Sequence, residues 1–246
     1  MDNTLLKEVI TNQEFKNSAQ KIIKIHSHTS LDQCLFLQKV IEDNKLQKGI
    51  EIGLAYGISS LAIVEALKNN NGKRHVIIDK FQHESWGSNG LDLLKLAGLF
   101  SFVDFREDFS YMVLPELLKE SEKFDFAYID STKQFDFILN DFFYLDKLME
   151  VNGVIVFDDL NWPGIKKVAR FVAKLPHYEV YDQYPKNNPS PDRSILKKFT
   201  KIFPTLKNIL SNDYLVSDAS LKINSNCVAF RKKENDPRNW DWFKDF

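Results

Sequence analysis

Three carboxylates and one lysine follow two short apolar runs of this chain, and these are the residues best suited to chemistry. Asp130 directly follows the first run, and Asp158 and Asp159 follow the second, while Lys133 stands three residues beyond Asp130. Carboxylates that meet at one place repel each other unless a cation or a polar ligand joins them. The pattern therefore indicates an enzyme site, with Lys133 as a candidate base.

The two apolar runs predict how these residues are positioned. Residues 126–129 and 153–157 are continuous apolar stretches with a helical segment between them, which is typical of neighbouring buried strands in a parallel sheet. Ligands of such sheets bind outside the carboxyl ends of the strands. Strands and helices alternate from about residue 31 to residue 175, which predicts a doubly wound, Rossmann-like α/β fold. Its sheet should be mainly parallel, with helices on both faces.

The remaining elements follow from hydrophobic periodicity and from Gly, Pro and Asn breaks. Further strands are predicted at residues 49–52, 76–79, 102–105, 178–184 and 227–230. Helices are predicted at residues 31–44, 59–67, 91–97 and 135–149, with others around Pro115 and after Pro163.

The same segmentation predicts one catalytic domain with helical additions, because no linker divides the region that bears the motifs. The cofactor-binding core comprises residues 31–184 and 225–233, preceded by an N-terminal helical extension at residues 1–30. Residues 185–224 form an insertion or lid, and residues 234–246 form an aromatic tail. Limited proteolysis is expected to cut near residues 185–191 and to leave the sheet intact.

Composition limits the classes of partner and compartment. A formal net charge of −1 with interspersed charges gives no electrostatic case for nucleic acid. The two cysteines, Cys34 and Cys227, are too few for a disulfide framework or a zinc site, which favours a reducing cytoplasm. No signal peptide and no membrane-spanning run is predicted. A basic amphipathic stretch at residues 196–210 suits packing on its own domain or on a sister subunit, which leaves a homo-oligomer open.

A glycine turn supplies the second candidate site. Gly53 and Gly57 follow the strand at residues 49–52, and Ser59 opens the next helix, so the backbone can approach a ligand closely. Glu51 precedes the turn and suits a ligand with an ammonium group, while Asp79 ends the next strand and suits a ribose diol. The spacing lacks the glycine pattern of the dinucleotide fingerprint and the lysine of a phosphate-binding loop.

Taken in order, these motifs resemble those of class I S-adenosylmethionine-dependent methyltransferases. The resemblance rests on Glu51-x-Gly53-x-x-x-Gly57-x-Ser59, on Asp79, and on the two strands that end in Asp130 and in Asp158-Asp159. It covers about residues 30–175 and the closing strand. The resemblance implies that S-adenosyl-L-methionine is the cofactor and that Glu51, Gly53, Gly57, Ser59, Asp79, Asp108 and Asp130 bind it, with Asp108 in the adenine-side loop.

Within that class the chain is similar to two groups of small-molecule O-methyltransferases. The catechol and caffeoyl-CoA type has a metal-binding Asp, a Lys three residues later and an Asp-Asn pair, matched here by Asp130, Lys133 and Asp158-Asp159. A bacterial group that methylates sugars and antibiotics has Asp-Gly-x-His followed by Asp-Asp-x-x-Trp-Pro-Gly. Residues 158–164 match the second motif, but Ser131 and Lys133 replace the Gly and the His.

The resemblance implies a direct displacement on a hydroxyl acceptor. Mg²⁺ held by Asp130, Asp158 and Asp159 would lower the pKa of the hydroxyl, and Lys133 would accept the proton if a nearby cation lowers its own pKa. Asp130 would be both a metal ligand and a catalytic residue. The acceptor is a sugar hydroxyl by one resemblance and a phenol by the other.

Other interpretations stay open. Lys133 can be a solvated lysine, and Asp158-Asp159 can be an N-cap before the helix at Pro163. The chain can then be a metal-independent methyltransferase or a catalytically silent binding protein; a nucleotide-dependent oxidoreductase would share the fold. His26 and His28 are interpreted as exposed bystanders, and Trp86 stacks on a ligand or caps its loop.

Overall fold

Short strands with strongly buried residues make up the centre of the structure, a computed structural model that describes residues 4–26, 28–186 and 216–244. In chain order the strands are β1 (Glu14–Lys16), β2 (Ile22–Lys24), β3 (Lys48–Ile52), β4 (Arg74–Ile78), β5 (Val103–Arg106), β6 (Phe124–Ile129), β7 (Met149–Phe157), β8 (Tyr178–Tyr184) and β9 (Cys227–Lys232).

Seven of these strands form one sheet in the order β5-β4-β3-β6-β7-β9-β8. The pairs β4–β5, β3–β4, β3–β6 and β6–β7 are parallel, and β9 runs antiparallel to both β7 and β8. Ile52 is level with Ile78 on one side and with Ile129 on the other, and Ile129 is level with Phe157. The residues that follow these four strands therefore meet at one edge of the sheet.

Helices cover both faces of the sheet, because each strand presents apolar side chains alternately to either side. The helices are α1 (Thr4–Asn12), α2 (Leu31–Asp43), α3 (Ile58–Asn69), α4 (Asn89–Leu96), α5 (Ser110–Lys119), α6 (Phe135–Leu148) and α7 (Pro163–Val172). On β6, Ala127 and Ile129 pack with α5, α6 and α7, whereas Phe126 and Tyr128 pack with α2 and α3. This confirms the predicted doubly wound, mainly parallel sheet.

The N-terminal extension differs from the helical segment predicted for residues 1–30. Helix α1 is followed by a hairpin in which Phe15 of β1 lies opposite Ile23 of β2. Phe15 is buried beside Leu6 and Val9 of α1 in the core cluster that also includes α3 and α4. Three-residue strands with polar neighbours leave too little hydrophobic periodicity to be recognised, and this pairing depends on contacts with the rest of the fold.

Two other predictions concern the C-terminal third. Strands β8 and β9 form as predicted, and β9 lies between β7 and β8 in the sheet. The predicted insertion falls mostly on residues 187–215, which lie outside the described residues, while residues 217–222 are mainly in turns. Among the described helices, none combines the length and the apolar character needed to cross a membrane.

Candidate active site

Two neighbouring cavities open at the edge of the sheet where β3, β4, β6 and β7 end. One has a volume of about 460 Å³, and we call it the apolar cavity because Ile52, Ile78, Phe81, Phe109 and Phe137 are in its wall. The other has a volume of about 470 Å³, and we call it the acidic cavity because its wall includes Asp130, Asp158 and Asp159. The two share Gly53, Ala55, Trp86, Asp130 and Ser131, so ligands in both would contact the same residues.

The apolar cavity contains the two acids that were predicted on the nucleoside side of a cofactor. Asp79 and Asp108 both line it, next to the rings of Phe81 and Phe109. The Asp79 carboxylate accepts hydrogen bonds from the backbone N–H groups of Leu54, 2.9 Å, and Ala55, 3.1 Å. It thereby ties the end of β4 to the glycine turn. A flat aromatic ligand with a polar ribose suits such a wall.

Gly53 stands where the two cavities meet and where the backbone is most crowded. Its φ is +100°, and a Cβ atom added to it would lie 2.0 Å from the carbonyl oxygen of Asp130. Only glycine adopts this conformation without strain and leaves room for β6 to end beside it. Its prediction as a ligand-contacting residue agrees with its position in both cavity walls.

Gly57, in contrast, serves a neighbouring helix. It has a φ of +78° and precedes α3, and a Cβ atom there would lie 2.9 Å from the carbonyl oxygen of Gly90 in α4. Gly57 is buried and is not in the wall of either cavity. In this structure Gly57 allows a close approach between α3 and α4, and its contact with a cofactor stays a prediction.

Glu51 also lies behind the site rather than in it. The side chain is fully buried, and it accepts hydrogen bonds from the hydroxyls of Ser59, 2.6 Å, and Ser60, 2.5 Å. The His75 Nε2 atom lies 3.1 Å from its second oxygen. The carboxylate is fully enclosed and lines neither cavity, so in this structure Glu51 supports the first turn of α3, while its contact with a ligand ammonium stays a prediction. Ser59 itself does line the acidic cavity.

A substitution at Glu51 tests this supporting role. Glu51→Leu is expected to lower the free energy of unfolding by about 2 kcal/mol, because it leaves buried hydroxyls without their acceptor. For a chain of this size the melting temperature should fall by about 4–8 °C in a thermal unfolding scan. The exposed Glu116→Leu on α5 is the control and should change little. A Glu51→Leu protein that melts like wild type but binds S-adenosylhomocysteine poorly would restore the ligand-binding role.

In the acidic cavity the lysine stands between two of the three acids. Lys133 Nζ donates to Asp130 Oδ1 at 3.0 Å and lies 2.6 Å from Asp159 Oδ2. Asp159 has a φ of +58°, an uncommon backbone conformation for a non-glycine residue. The residues after β6 and those after β7 are therefore joined by one ammonium group.

Burial and mutual repulsion decide the charges of this group. Burial and the Asp158 carboxylate raise the pKa of Asp130 to about 7, although Lys133 acts in the opposite direction. Burial alone would lower the pKa of Lys133, but Asp130 and Asp159 outweigh it and raise that pKa above its ordinary value. Lys133 is thus a protonated ammonium here. The two carboxylates hold its proton, and the lowered pKa that was expected beside a bound cation stays a prediction.

Asp158 is the most enclosed of the three acids. Its Oδ1 accepts from the backbone N–H of Asp159 at 2.7 Å, and its Oδ2 accepts from Gln33 and Tyr128. Burial raises its pKa, against the lowering effect of the Tyr128 hydroxyl. Asp158 and Asp159 therefore share a turn but have different surroundings.

Several residues of the acidic cavity were not found from the sequence. His28 lines it, although the sequence favoured an exposed bystander. Gln33 of α2 and Asn226, just before β9, line it as well, and Asn226 Nδ2 lies 3.4 Å from oxygens of both Asp158 and Asp159. These residues belong to no motif, and they come from segments about 100 residues before and 70 residues after the acids. Only the pairing of β9 with β7 and the packing of α2 bring them together.

Another polar cluster lies apart from both cavities. Within the described ranges, one set of three metal-ligating side chains has ligand atoms within 4.8 Å of one another, and it consists of Asp146, His177 and Asp236. Lys232 lies 3.5 Å from Asp146, and Arg238 lies 2.6 Å from Asp236. Because Lys232 and Arg238 already pair with these acids, the cluster is an ion-pair network, and it links the aromatic tail to the rest of the fold. The acids of the acidic cavity are more widely spaced than this set.

Comparison with families and curated proteins places the chain among known sequences. A family model described as a methyltransferase domain matches residues 50–160. A caffeoyl-CoA O-methyltransferase from Medicago sativa is 32% identical over 139 residues, which are 55% of this chain and 54% of that protein. The chain spans between about half and two thirds of the length of the curated relatives it matches.

Solved structures show the same fold. An O-methyltransferase from Bacillus cereus in complex with SAH aligns with a TM-score of 0.58 at 22% identity, over 72% of this chain and 82% of that one. The cofactor-bound protein Rv0187 from MTB aligns with a TM-score of 0.62 at 15% identity, over 95% of this chain and 94% of that one. At such identities the likeness concerns the fold alone, and with Rv0187 it extends over nearly the whole chain.

Proposed function

We propose that this chain, which belongs to the class I S-adenosylmethionine-dependent methyltransferases, methylates a hydroxyl oxygen of a small molecule. The observation that carries the proposal is the pair of adjoining cavities at one sheet edge. The apolar cavity, with Asp79 and Asp108, suits the nucleoside of the cofactor. The acidic cavity, with Asp130 and Lys133, suits a polar acceptor beside it.

The cofactor would lie across the residues that both cavities share. S-Adenosylmethionine supplies a methyl group on a sulfonium ion, which is the electrophile of the reaction. Gly53 lies in the walls of both cavities at the end of β3, and Ser59 is in the first turn of α3, which faces the acidic cavity. Asp79 would accept hydrogen bonds from the ribose, and Trp86 lines both cavities.

The chemistry of the donor atoms in the acidic cavity fits a divalent cation. Asp130, Asp158 and Asp159 offer carboxylate oxygens, which are the ligands that Mg²⁺ prefers. Lys133 balances only part of their negative charge. We propose that Mg²⁺ binds to these three acids, where it would supply positive charge beside the acceptor and lower the pKa of the hydroxyl.

The residues of the acidic cavity would then handle the proton that the acceptor hydroxyl loses. Lys133 Nζ is the atom proposed to take it up, which requires that the carboxylates of Asp130 and Asp159 no longer hold the ammonium in its charged form. His28, Ser131 and Asn226 line the same space and would orient the acceptor. A vicinal diol, on either a phenol or a sugar, is the acceptor chemistry most consistent with two adjacent acids.

A metal-independent methyltransferase is the second candidate, and one contact favours it. The Lys133 ammonium already bridges Asp130 and Asp159, with its nitrogen 3.0 and 2.6 Å from their oxygens. A lysine in this position would offset the negative charge of Asp130 and Asp159 without a bound metal ion. The response to chelator separates the two candidates.

The activity is tested in two steps. Titration calorimetry with S-adenosylmethionine, S-adenosylhomocysteine and NAD should give binding of the first two and none of NAD. Transfer of a labelled methyl group should then be measured with Mg²⁺ and with catechol, caffeoyl-CoA and a methyl glycoside that has a vicinal diol. Binding of NAD alone would point to an oxidoreductase, and cofactor binding without transfer to any acceptor would point to a silent binding protein.

Asp79→Ala tests the cofactor site without any acceptor. It is expected to weaken binding of S-adenosylhomocysteine by about 1–3 kcal/mol, because buried hydroxyls of the ribose lose their acceptor. That is roughly a 5- to 150-fold rise in Kd by calorimetry. Asp136→Ala, an exposed acid of α6, is the control and should bind as wild type does. Unchanged affinity of the Asp79→Ala protein would remove Asp79 from the site.

A further inference from the structure

The Asp158 carboxylate has two oxygens with different partners, and this difference suggests that the two oxygens have different functions. Oδ2 accepts from Tyr128 Oη at 2.6 Å and from Gln33 Nε2 at 2.5 Å. Oδ1 accepts from the Asp159 N–H at 2.7 Å and lies 3.4 Å from Nδ2 of Asn226, which lines the acidic cavity. Two side chains thus hold Oδ2, whereas the partners of Oδ1 are a backbone N–H and one more distant amide.

The two residues that hold Oδ2 come from opposite parts of the fold. Tyr128 is a fully buried residue of β6, two positions before Asp130, and Gln33 lies in the first turn of α2 with 8% of its surface exposed. Gln33 Nε2 also lies 3.3 Å from the Tyr128 hydroxyl. The three side chains therefore form one closed hydrogen-bonded triangle, in which Gln33 and Asp158 line the cavity and Tyr128 is buried behind them.

A buried carboxylate that is free to rotate would present its oxygens at many angles, whereas one that is fixed at Oδ2 presents Oδ1 in a single direction. Groups that hydrogen-bond to a metal ligand in this way orient the ligand and keep it charged, and their removal costs roughly 10- to 100-fold in metal affinity. Tyr128 and Gln33 each donate to the same oxygen, so neither competes with a cation for Oδ1.

We propose that Gln33 and Tyr128 are positioning residues that fix Asp158 for a divalent cation in the acidic cavity. The proposal rests on the metal-assisted function proposed above. It extends the site to α2, a helix outside the motif-bearing strands.

The test measures binding of Mn²⁺, a paramagnetic substitute for Mg²⁺, by electron paramagnetic resonance and by calorimetry. Tyr128→Phe and Gln33→Leu are each expected to weaken Mn²⁺ binding by roughly 10- to 100-fold. Both should bind S-adenosylhomocysteine with nearly wild-type affinity, because Gln33 and Tyr128 are outside the apolar cavity. Gln33→Glu, which keeps the length of the side chain but donates no N–H when charged, should resemble Gln33→Leu.

Two matched controls separate positioning from general stability. Gln38→Leu removes a buried glutamine of the same helix, whose amide bonds to the Ala62 carbonyl, and Tyr178→Phe removes a buried hydroxyl that bonds to Asp146. Both should leave Mn²⁺ affinity unchanged even if they lower the melting temperature.

The outcomes distinguish this inference from the proposed function. If wild type binds Mn²⁺ and the Tyr128 and Gln33 variants bind it equally well, the positioning role is wrong while metal assistance stands. If wild type binds S-adenosylhomocysteine but no Mn²⁺, metal assistance and the positioning role both fall, and the methyltransferase assignment remains.

Discussion

Excess chelator is expected to abolish methyl transfer by this protein, and added Mg²⁺ is expected to restore it. The reason is the charge of the acidic cavity, where three carboxylates line the wall and the one ammonium group of Lys133 pairs with two of them. A divalent ion would relieve the repulsion between them and would let an acceptor hydroxyl ionise near neutral pH. Labelled methyl transfer, measured with chelator and then with Mg²⁺ in excess, gives the result directly.

Thermal unfolding gives a readout that needs no acceptor. Because the pKa of Asp130 is raised to about 7 by burial and by Asp158, the protonated carboxyl is favoured in the folded state. Without an ion, the stability that protonated Asp130 contributes is therefore lost as the pH rises from its ordinary pKa of 3.8 through its folded-state pKa of about 7. Metal ligands must be deprotonated, so Mg²⁺ should raise the melting temperature more at pH 8 than at pH 6. An equal effect at both pH values would contradict this.

Lys133→Ala distinguishes the two forms of the mechanism. If Mg²⁺ shares the acids with Lys133, the variant should bind Mg²⁺ at least as tightly as wild type, since a competing ammonium is gone, and should have lower turnover. Cofactor affinity should be unchanged, because Lys133 lies outside the apolar cavity. Full activity of wild type in excess chelator, combined with an inactive Lys133→Ala protein, would establish the metal-independent alternative.

The sheet was predictable because parallel strands buried on both faces are apolar throughout. Residues 126–129 and 153–157 stand out for that reason, and the acids that follow them are placed by the register of β6 against β7. The order of these motifs along the chain therefore indicated the edge of the sheet at which the acids lie and the residues that come together there.

The roles of individual residues were less predictable, because a role depends on what lies behind a side chain. Glu51 was expected to face a ligand, but Ser59, Ser60 and His75 enclose it. For the same reason, the sequence did not identify His28, Gln33 and Asn226 as residues of the acidic cavity. Gln33 sits in an ordinary amphipathic helix and becomes part of the site only through tertiary packing on β6.

Gly53→Ala is expected to be the most disruptive small substitution at the site. The added Cβ would lie 2.0 Å from the Asp130 carbonyl oxygen and 2.9 Å from its carbonyl carbon, and these are backbone atoms that cannot swing aside. The residue would also have to adopt a φ of +100°, which L side chains rarely do. Strain and overpacking together should cost about 2–5 kcal/mol.

Gly98→Ala is the matched control, because Gly98 also has a positive φ, +66°, but a Cβ atom there meets nothing within 4 Å. It should cost only the conformational strain, about 1–2 kcal/mol. Thermal unfolding should therefore rank the proteins, from the most to the least stable, as wild type, Gly98→Ala and Gly53→Ala, and calorimetry with S-adenosylhomocysteine should compare their cofactor affinities. Only Gly53→Ala should also lose cofactor affinity, since the end of β3 must move away from β6 to admit the methyl group. Equal stability and equal affinity of the two variants would mean that the close approach of Gly53 to Asp130 does not shape the site.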